Sequence, residues 1–267
     1  MAAERSGQVV YLQVGRSGYL RNVAYKWSHM LNNLTSAIFG FIYIALWQAV
    51  APEHSATDLY TRATMTDMMV LAQTFAWVSV FLPAGLGIQN SVRSGAIALE
   101  MARPVPFFPM VVAREGGNLA YQVMYRSFPL AVVFAVTVGF PRPGSAASLL
   151  LTVPSLMLAG YIALCLVYTV GMTALWTTEV RWAQWTYYSL TTLLSGGWIP
   201  PDILPGFFGK VVPYLPFAAQ ISYPARIYLG WYGWPHLLVQ AAWAAVATLW
   251  CQWLTRRGLQ RVVVQGG

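Results

Sequence analysis

The sequence predicts an all-α integral membrane protein with six transmembrane helices, and three observations carry that reading. Hydrophobic residues make up 57% of the 267 and charged residues only 9%, with a mean hydropathy of +0.53, outside the range of water-soluble domains. Six stretches poor in charge reach or approach the ~20 residues that a helix needs to cross a hydrocarbon core of ~30 Å. The ten-residue alternation of a membrane barrel is absent, which leaves helices as the form in which each segment satisfies its own backbone N–H and C=O groups in lipid.

The first thirty residues precede any apolar run. At 100° per residue, Val9, Leu12, Leu20, Val23 and Trp27 gather on one side, with Arg21, Asn22 and Lys26 elsewhere and Arg16 interrupting the apolar face. This predicts an N-terminal interfacial amphipathic helix with Tyr25 and Trp27 at headgroup depth and Lys26 reaching phosphate. A plain basic anchor competes with it. No cleavable signal sequence is expected, because the first apolar run comes late and is long enough to span.

Residues 31–50 and 68–88 contain no charge and are the first two spans. The third, 121–140, carries Arg126 near its start, which predicts that Arg126 lies at the cytoplasmic boundary, after an approach helix holding Arg114 and Glu115; a deep and unpaired Arg126 would instead read as a site for an acidic substrate group. Residues 148–172 form an uncharged fourth span, 182–199 a short fifth, and 235–254 a sixth with His236 in its first turn. Between the last two, prolines at 200, 201, 205, 213, 216 and 224 divide an apolar stretch. These predict broken re-entrant outer helices that dip into the outer leaflet. A proline-rich interfacial loop anchored by Trp231, Tyr232 and Trp234 is the alternative. The whole chain reads as one domain, 1–267, comprising an interfacial segment (1–30), the six-span region (31–254) and a tail (255–267).

Orientation follows from the cations, since cytoplasmic loops retain Lys and Arg. With the N-terminus inside, Arg5, Arg16, Arg21, Lys26, Arg93, Arg103, Arg114, Arg126, Arg181, Arg256, Arg257 and Arg261 are inner, against Arg62, Arg142, Lys210 and Arg226 outside. The eight acidic residues divide evenly, so the net charge of +8 belongs to the inner face and both termini are predicted to be cytoplasmic. Such an excess reports topology and attraction to anionic membrane lipids; no nucleic-acid partner is implied.

The chemistry of catalysis is largely excluded. GxxxxGK[ST] is missing, and "GFFGK" at 206–210 has the wrong spacing to cradle nucleotide phosphates. HExxH, CxxC and GxSxG are absent, His29, His54 and His236 stand far apart, and Cys165 and Cys251 fall within predicted spans as packing residues. No catalytic residue, metal site or cofactor of this chain is therefore expected. No carboxylate falls deep in a predicted span, which argues against a proton- or sodium-driven carrier. If the chain moves anything uphill, its energy comes from a partner.

That directs attention to "QNSVRSGAIALEMARPVPFF" after the second span. Arg93, Ile97, Glu100 and Pro104 fall three or four apart, which suits one short helix across the cytoplasmic face, ended by Pro104. Such a charged knob can transmit a push from a soluble protein; an ordinary amphipathic loop helix held by lipid headgroups is the bland reading.

The order of "FIYIALWQAV", "RSGAIALEMARPV", "ALWTTEV", "LSGGWIPPDILP" and the basic tail "RRGLQRVVVQGG" resembles the six-span permease subunits of ABC-2 type ABC transporters, particularly their compact bacterial branch. The resemblance covers nearly the entire chain. It implies a permease of the bacterial inner membrane that forms the substrate pathway with a second copy or a paralogue. It also implies that separate cytosolic ABC ATPase subunits use the ATP and Mg, receive the permease's coupling helix in a groove, and drive export. By that resemblance Arg93, Gly95, Leu99, Glu100, Arg103 and Pro104 take the coupling role, with Glu179 and Arg181 as secondary contacts. The second and fifth spans would wall the pathway, making Trp77, Phe81, Tyr187, Tyr188 and Thr191 its candidates; packing is the competing role for each aromatic. A charge-poor, aromatic route suits an amphipathic cargo such as a drug, peptide or lipid-like product. A membrane-embedded lipid-acting enzyme and a non-transporting membrane sensor or assembly subunit are the alternatives.

Overall fold

The computed structural model describes residues 2–23, 26–54, 59–177 and 179–265, with side chains described over 9–23, 31–54, 59–177 and 179–262. The predicted placements of Tyr25, Lys26 and Trp27 lie outside the described side chains. The described residues form helices α1 (Ala2–Val23), α2 (Lys26–Val50), α3 (Arg62–Ser79), α4 (Ile88–Arg93), α5 (Ala96–Met101), α6 (Phe107–Gln122), α7 (Phe128–Thr137), α8 (Ala146–Met172), α9 (Arg181–Leu194), α10 (Phe207–Val211), α11 (Ala218–Tyr228) and α12 (Trp234–Gln265). No strand occurs among them.

Five helical stretches are long and apolar enough to cross a membrane: Leu31–Val50, Arg62–Arg93, Phe107–Thr137, Ala146–Leu175 and Trp234–Val262. The predicted fifth span is shorter. α9 has 14 residues, ~21 Å of helix against a core of ~30 Å, and it stops where Gly196 takes a φ of +87°. The third starts earlier than predicted, because Pro104 and Pro106 end the preceding segment and α6 begins directly at Phe107. α6 continues into α7 through a π turn, Val123–Ser127. Consequently Arg114 and Glu115 belong to this long helix and not to a separate approach helix. Arg126 is buried within it, about 16 Å before its Thr137 end, and is not at a helix boundary. Glu115 is buried as well, eight residues into a stretch long enough to cross a membrane, where the sequence predicted no carboxylate deep in a span. It accepts hydrogen bonds from Arg114 Nε at 3.0 Å and from the Asn118 amide, so its charge is matched where it is desolvated.

α8 is the centre of the core. A capping box between Ser145 and Ser148 starts it, and Ala159, Ile162, Ala163, Val167, Tyr168 and Met172 are buried along it. It runs parallel to α12, joined by hydroxyl and amide contacts at three levels. Ser155 Oγ donates to Gln240 Oε1 at 2.8 Å, Tyr161 and Thr248 share a hydrogen bond at 2.7 Å, and Tyr168 and Thr255 share one at 2.6 Å. Polar side chains that satisfy each other hold helices together where the solvent is as apolar as leucine.

The segment between α9 and α12 is broken into Pro201–Ile203, α10, Val212–Tyr214 and α11 as its prolines predict, except that Pro224 lies within α11 and does not divide it. α11 is buried from Ala218 to Ile227 and packs on α8 and α3, which makes it a core element. Its Arg226 is buried, pairs with Asp202 and donates to the Tyr232 hydroxyl at 3.2 Å.

α1 packs along α6 instead of relying on an apolar face, and Val9, Leu12 and Leu20 of the predicted stripe are exposed. The contact is backbone against backbone: a side chain at Gly117 would run into the Gly15 carbonyl. Glycine is what lets the two helices approach this closely.

Candidate coupling surface and substrate cleft

The chain leaves α3 through a left-handed turn. Gly85, Leu86 and Gly87 have φ of +51°, +53° and +75°, a region that a β-carbon disfavours. The strained turn is held from three sides. Arg114 Nη2 donates to the Leu86 carbonyl at 2.8 Å, Gly85 N–H donates to Gln184 Oε1 at 3.0 Å, and Gly171 of α8 lies against the Gly85 backbone. Helices α6, α8 and α9 thereby grip one joint.

Beyond it the predicted single helix is two. Gly95, at φ +75°, separates α4 from α5, so Arg93 ends one helix, Ile97 and Glu100 lie on the next, and Pro104 follows its end. Ile97 turns into the core with Met101. Glu100 accepts a hydrogen bond from Ser91 Oγ at 3.1 Å, tying α5 back to α4. Leu99 is 75% exposed, and Arg103 and Pro104 are exposed beside it.

The second loop meets the first. Arg93 Nη2 lies 3.3 Å from Glu179 Oε2, across 86 positions of sequence. Glu179 also accepts the Arg181 backbone N–H at 3.0 Å, with Arg181 Nε at 3.9 Å. The Arg181 N–H chiefly, and the two guanidinium groups in addition, hold the Glu179 carboxyl below its ordinary range. Arg93, Glu179 and Arg181, separate in sequence, therefore share one charged patch. The end of α12 extends it: Met101, Met172 and Leu175 surround Gly258, and Arg257 sits 5.6 Å from the Trp253 ring centroid, beside a groove of about 690 Å³ that Trp176 also lines.

A cleft of about 590 Å³ opens between α2, α3, the α6–α7 helix and α9. Trp77, Phe81 and Tyr188 of the predicted pathway residues line it, the Trp77 and Phe81 rings being 4.5 Å apart. Tyr187 and Thr191 do not. One helical turn apart, they share the buried side of α9, where the Tyr187 hydroxyl donates to Gln220 Oε1 at 3.4 Å. Two contributions to the cleft lie outside the predicted pathway residues. Arg126 enters it with its guanidinium carbon 4.0 Å from the Trp77 ring centroid. The face of α2 formed by Asn32, Thr35, Ser36, Phe39 and Tyr43 also lines it. The signal for that face was legible as polar residues recurring every three or four positions at the start of an otherwise apolar span.

Residues 26–266 match the family described as ABC-2 family transporter protein. The chain belongs to this family. The match begins at the first residue of α2 and reaches past the end of α12, so all five stretches long and apolar enough to cross a membrane fall inside it. None of the curated proteins compared matches the chain. Membership makes it a multi-pass membrane subunit of a transporter, of a kind that typically lacks an ATPase of its own and associates with ABC ATPase partners. In the ABC-2 chain, α1 lies outside the matched region and is joined to it through Gly117 and the hydrogen bond from Asn22 to Asn118.

Proposed function

We propose that this chain is the permease subunit of an ATP-driven ABC exporter of the bacterial inner membrane, with both termini cytoplasmic. It crosses the bilayer six times, α9 and the turn after it making the fifth crossing with support from buried α11. Two permeases, identical or paralogous, form the passage, and separate cytosolic ATPases consume the ATP and Mg. The observation that carries the reading is the Arg93–Glu179 pair, which joins two loops on the cation-rich side into one patch with Leu99, Arg103 and Pro104 exposed for docking. Movement of that patch acts on α3 through the gripped 85–87 turn, and Trp77 and Phe81 lie at the end of α3 and just beyond it. ATP binding in the partner thus alters the cleft, giving alternating access. Export is the direction implied by the family resemblance, and the aromatic cleft with a polar α2 face supports an amphipathic cargo.

The test is to purify the chain with the ATPase encoded beside it and compare the native protein with Glu100→Arg and Leu99→Asp. Both substitutions should reduce copurification and ATP turnover, Glu100→Arg because it also reverses the charge that ties α5 to Ser91. Unchanged complex formation and turnover in both would refute the docking assignment.

A further inference from the structure

An arginine within a membrane helix is costly, about 2.5–3.5 kcal/mol at mid-helix on insertion scales, and such residues usually face a cavity or pathway. Arg126 is 6% exposed, and the helix is locally rebuilt around it. Pro129 has no N–H to donate to the Tyr125 carbonyl, which instead accepts Asn33 Nδ2 of α2 at 2.8 Å. The π turn Val123–Ser127 occupies the same stretch, a distortion that is frequent at functional sites. The Asn33 hydrogen bond ties α2 to the Arg126 segment.

The guanidinium lies between two cavities and lines both: the cleft of about 590 Å³ and a smaller one of about 190 Å³ reached by Arg21 and Asn22 of α1. Of the residues lining either, Arg21 and Arg126 are cationic and none is acidic, so a ligand there meets positive potential. Trp77 also lines both. It is 92% buried, and its indole Nε1 has no acceptor among the described residues, an N–H donor whose desolvation is uncompensated. The larger cleft has the volume of a small-molecule site. Its walls divide by chemistry: Thr35, Ser36 and Gln73 are polar, and Phe39, Phe81 and Trp198 are aromatic.

We propose that this cleft binds an amphiphile by an anionic head group, a carboxylate or phosphate held by the Arg126 guanidinium and the Trp77 N–H, with its apolar body against the aromatic wall. The proposal rests on reading the cleft as the substrate pathway and assigns the class of substrate. Arg126 and Trp77 are its specificity-determining residues.

The experiment uses the full chain in nanodiscs of phosphatidylcholine, without an ATPase, and two fluorescent probes: dansylaminoundecanoic acid and its methyl ester. Hydrogen bonds to a charged group set the scale, so the acid should bind at least about tenfold more tightly than the ester. Arg126→Gln should bring the two to within about twofold, Arg126→Lys should restore part of the difference, and Trp77→Phe should weaken the acid while sparing the ester. Equal binding of acid and ester by the native protein, or a preference that survives Arg126→Gln, overturns the proposal. If Arg126→Gln does not fold, Trp77→Phe decides, and an unchanged preference there overturns it. Repeating the measurement with phosphatidylglycerol in the disc separates the sources of the head group. Competition identifies bilayer lipid and no competition a carried amphiphile, both upholding the anionic site. Because no turnover is measured, loss of ATPase coupling leaves this preference intact, and absence of the preference leaves the permease reading intact.

Discussion

Leu86 holds a positive φ with a buried side chain, and the two facts pull in opposite directions. Truncating a buried leucine costs about 2–5 kcal/mol, whereas a side chain in the left-handed region costs about 1–2 kcal/mol that glycine does not incur. Leu86→Ala should therefore lose the packing and keep the strain, and Leu86→Gly should lose the same packing but recover the strain. Thermal unfolding in detergent is expected to rank the native protein first, the glycine variant second and the alanine variant last, the reverse of glycine's usual place in a helix. A glycine variant less stable than alanine would mean that the turn is not strained. None of this was legible in the sequence. Pro83, Gly85 and Gly87 suggest a bend or a close helix contact near the inner end of the second span, but nothing in "AGLG" marks the leucine as the residue forced through the turn.

Elements were legible where composition decides and obscure where neighbours do. The uncharged runs at 31–50 and 148–172 fall within α2 and α8, and the prolines after 200 divide the chain as read apart from Pro224, which α11 carries inside it. The start of the third long helix was not legible. Arg114, Glu115 and Arg126 look like residues of an aqueous loop until Asn118, Trp77 and α1 surround them. α9 is apolar enough to resemble a span, yet Gly196 ends it early. The face of α1 was also misjudged by counting apolar positions, because its contact with α6 is made by glycines that carry no hydropathy signal. Gly117→Leu tests that contact. With the Gly15 carbonyl in its path the new side chain has no room, so α1 should separate from α6, with faster amide hydrogen exchange over α1 and little change over α8. Protection of α1 equal to that of the native protein would show that the helices do not need the close approach.

For the molecule as a whole, the charged patch depends on Glu179 being ionised. Its carboxyl is held below the ordinary range, so the tie to Arg93 is fully present above the unfolded value and lost as pH falls through the lower, folded value. Spin labels at exposed Ala98 and Thr177 should keep one short distance at neutral pH and spread only on acidification below the usual carboxylate range. Glu179→Gln should show the broad distribution at every pH. A native distance that never changes with acid would place the union of the two loops on other contacts. The sequence offered Arg93 and Glu179 only as members of separate loops; their meeting is a product of how α4 and α9 are seated around α8. The three polar levels between α8 and α12 have a mechanical meaning. Sliding one helix past the other by a single turn would rupture the Ser155, Tyr161 and Tyr168 linkages together and strand their partners in a medium without water. The pair therefore behaves as a fixed mast, resisting any stroke that would require one of its two helices to slip along the other.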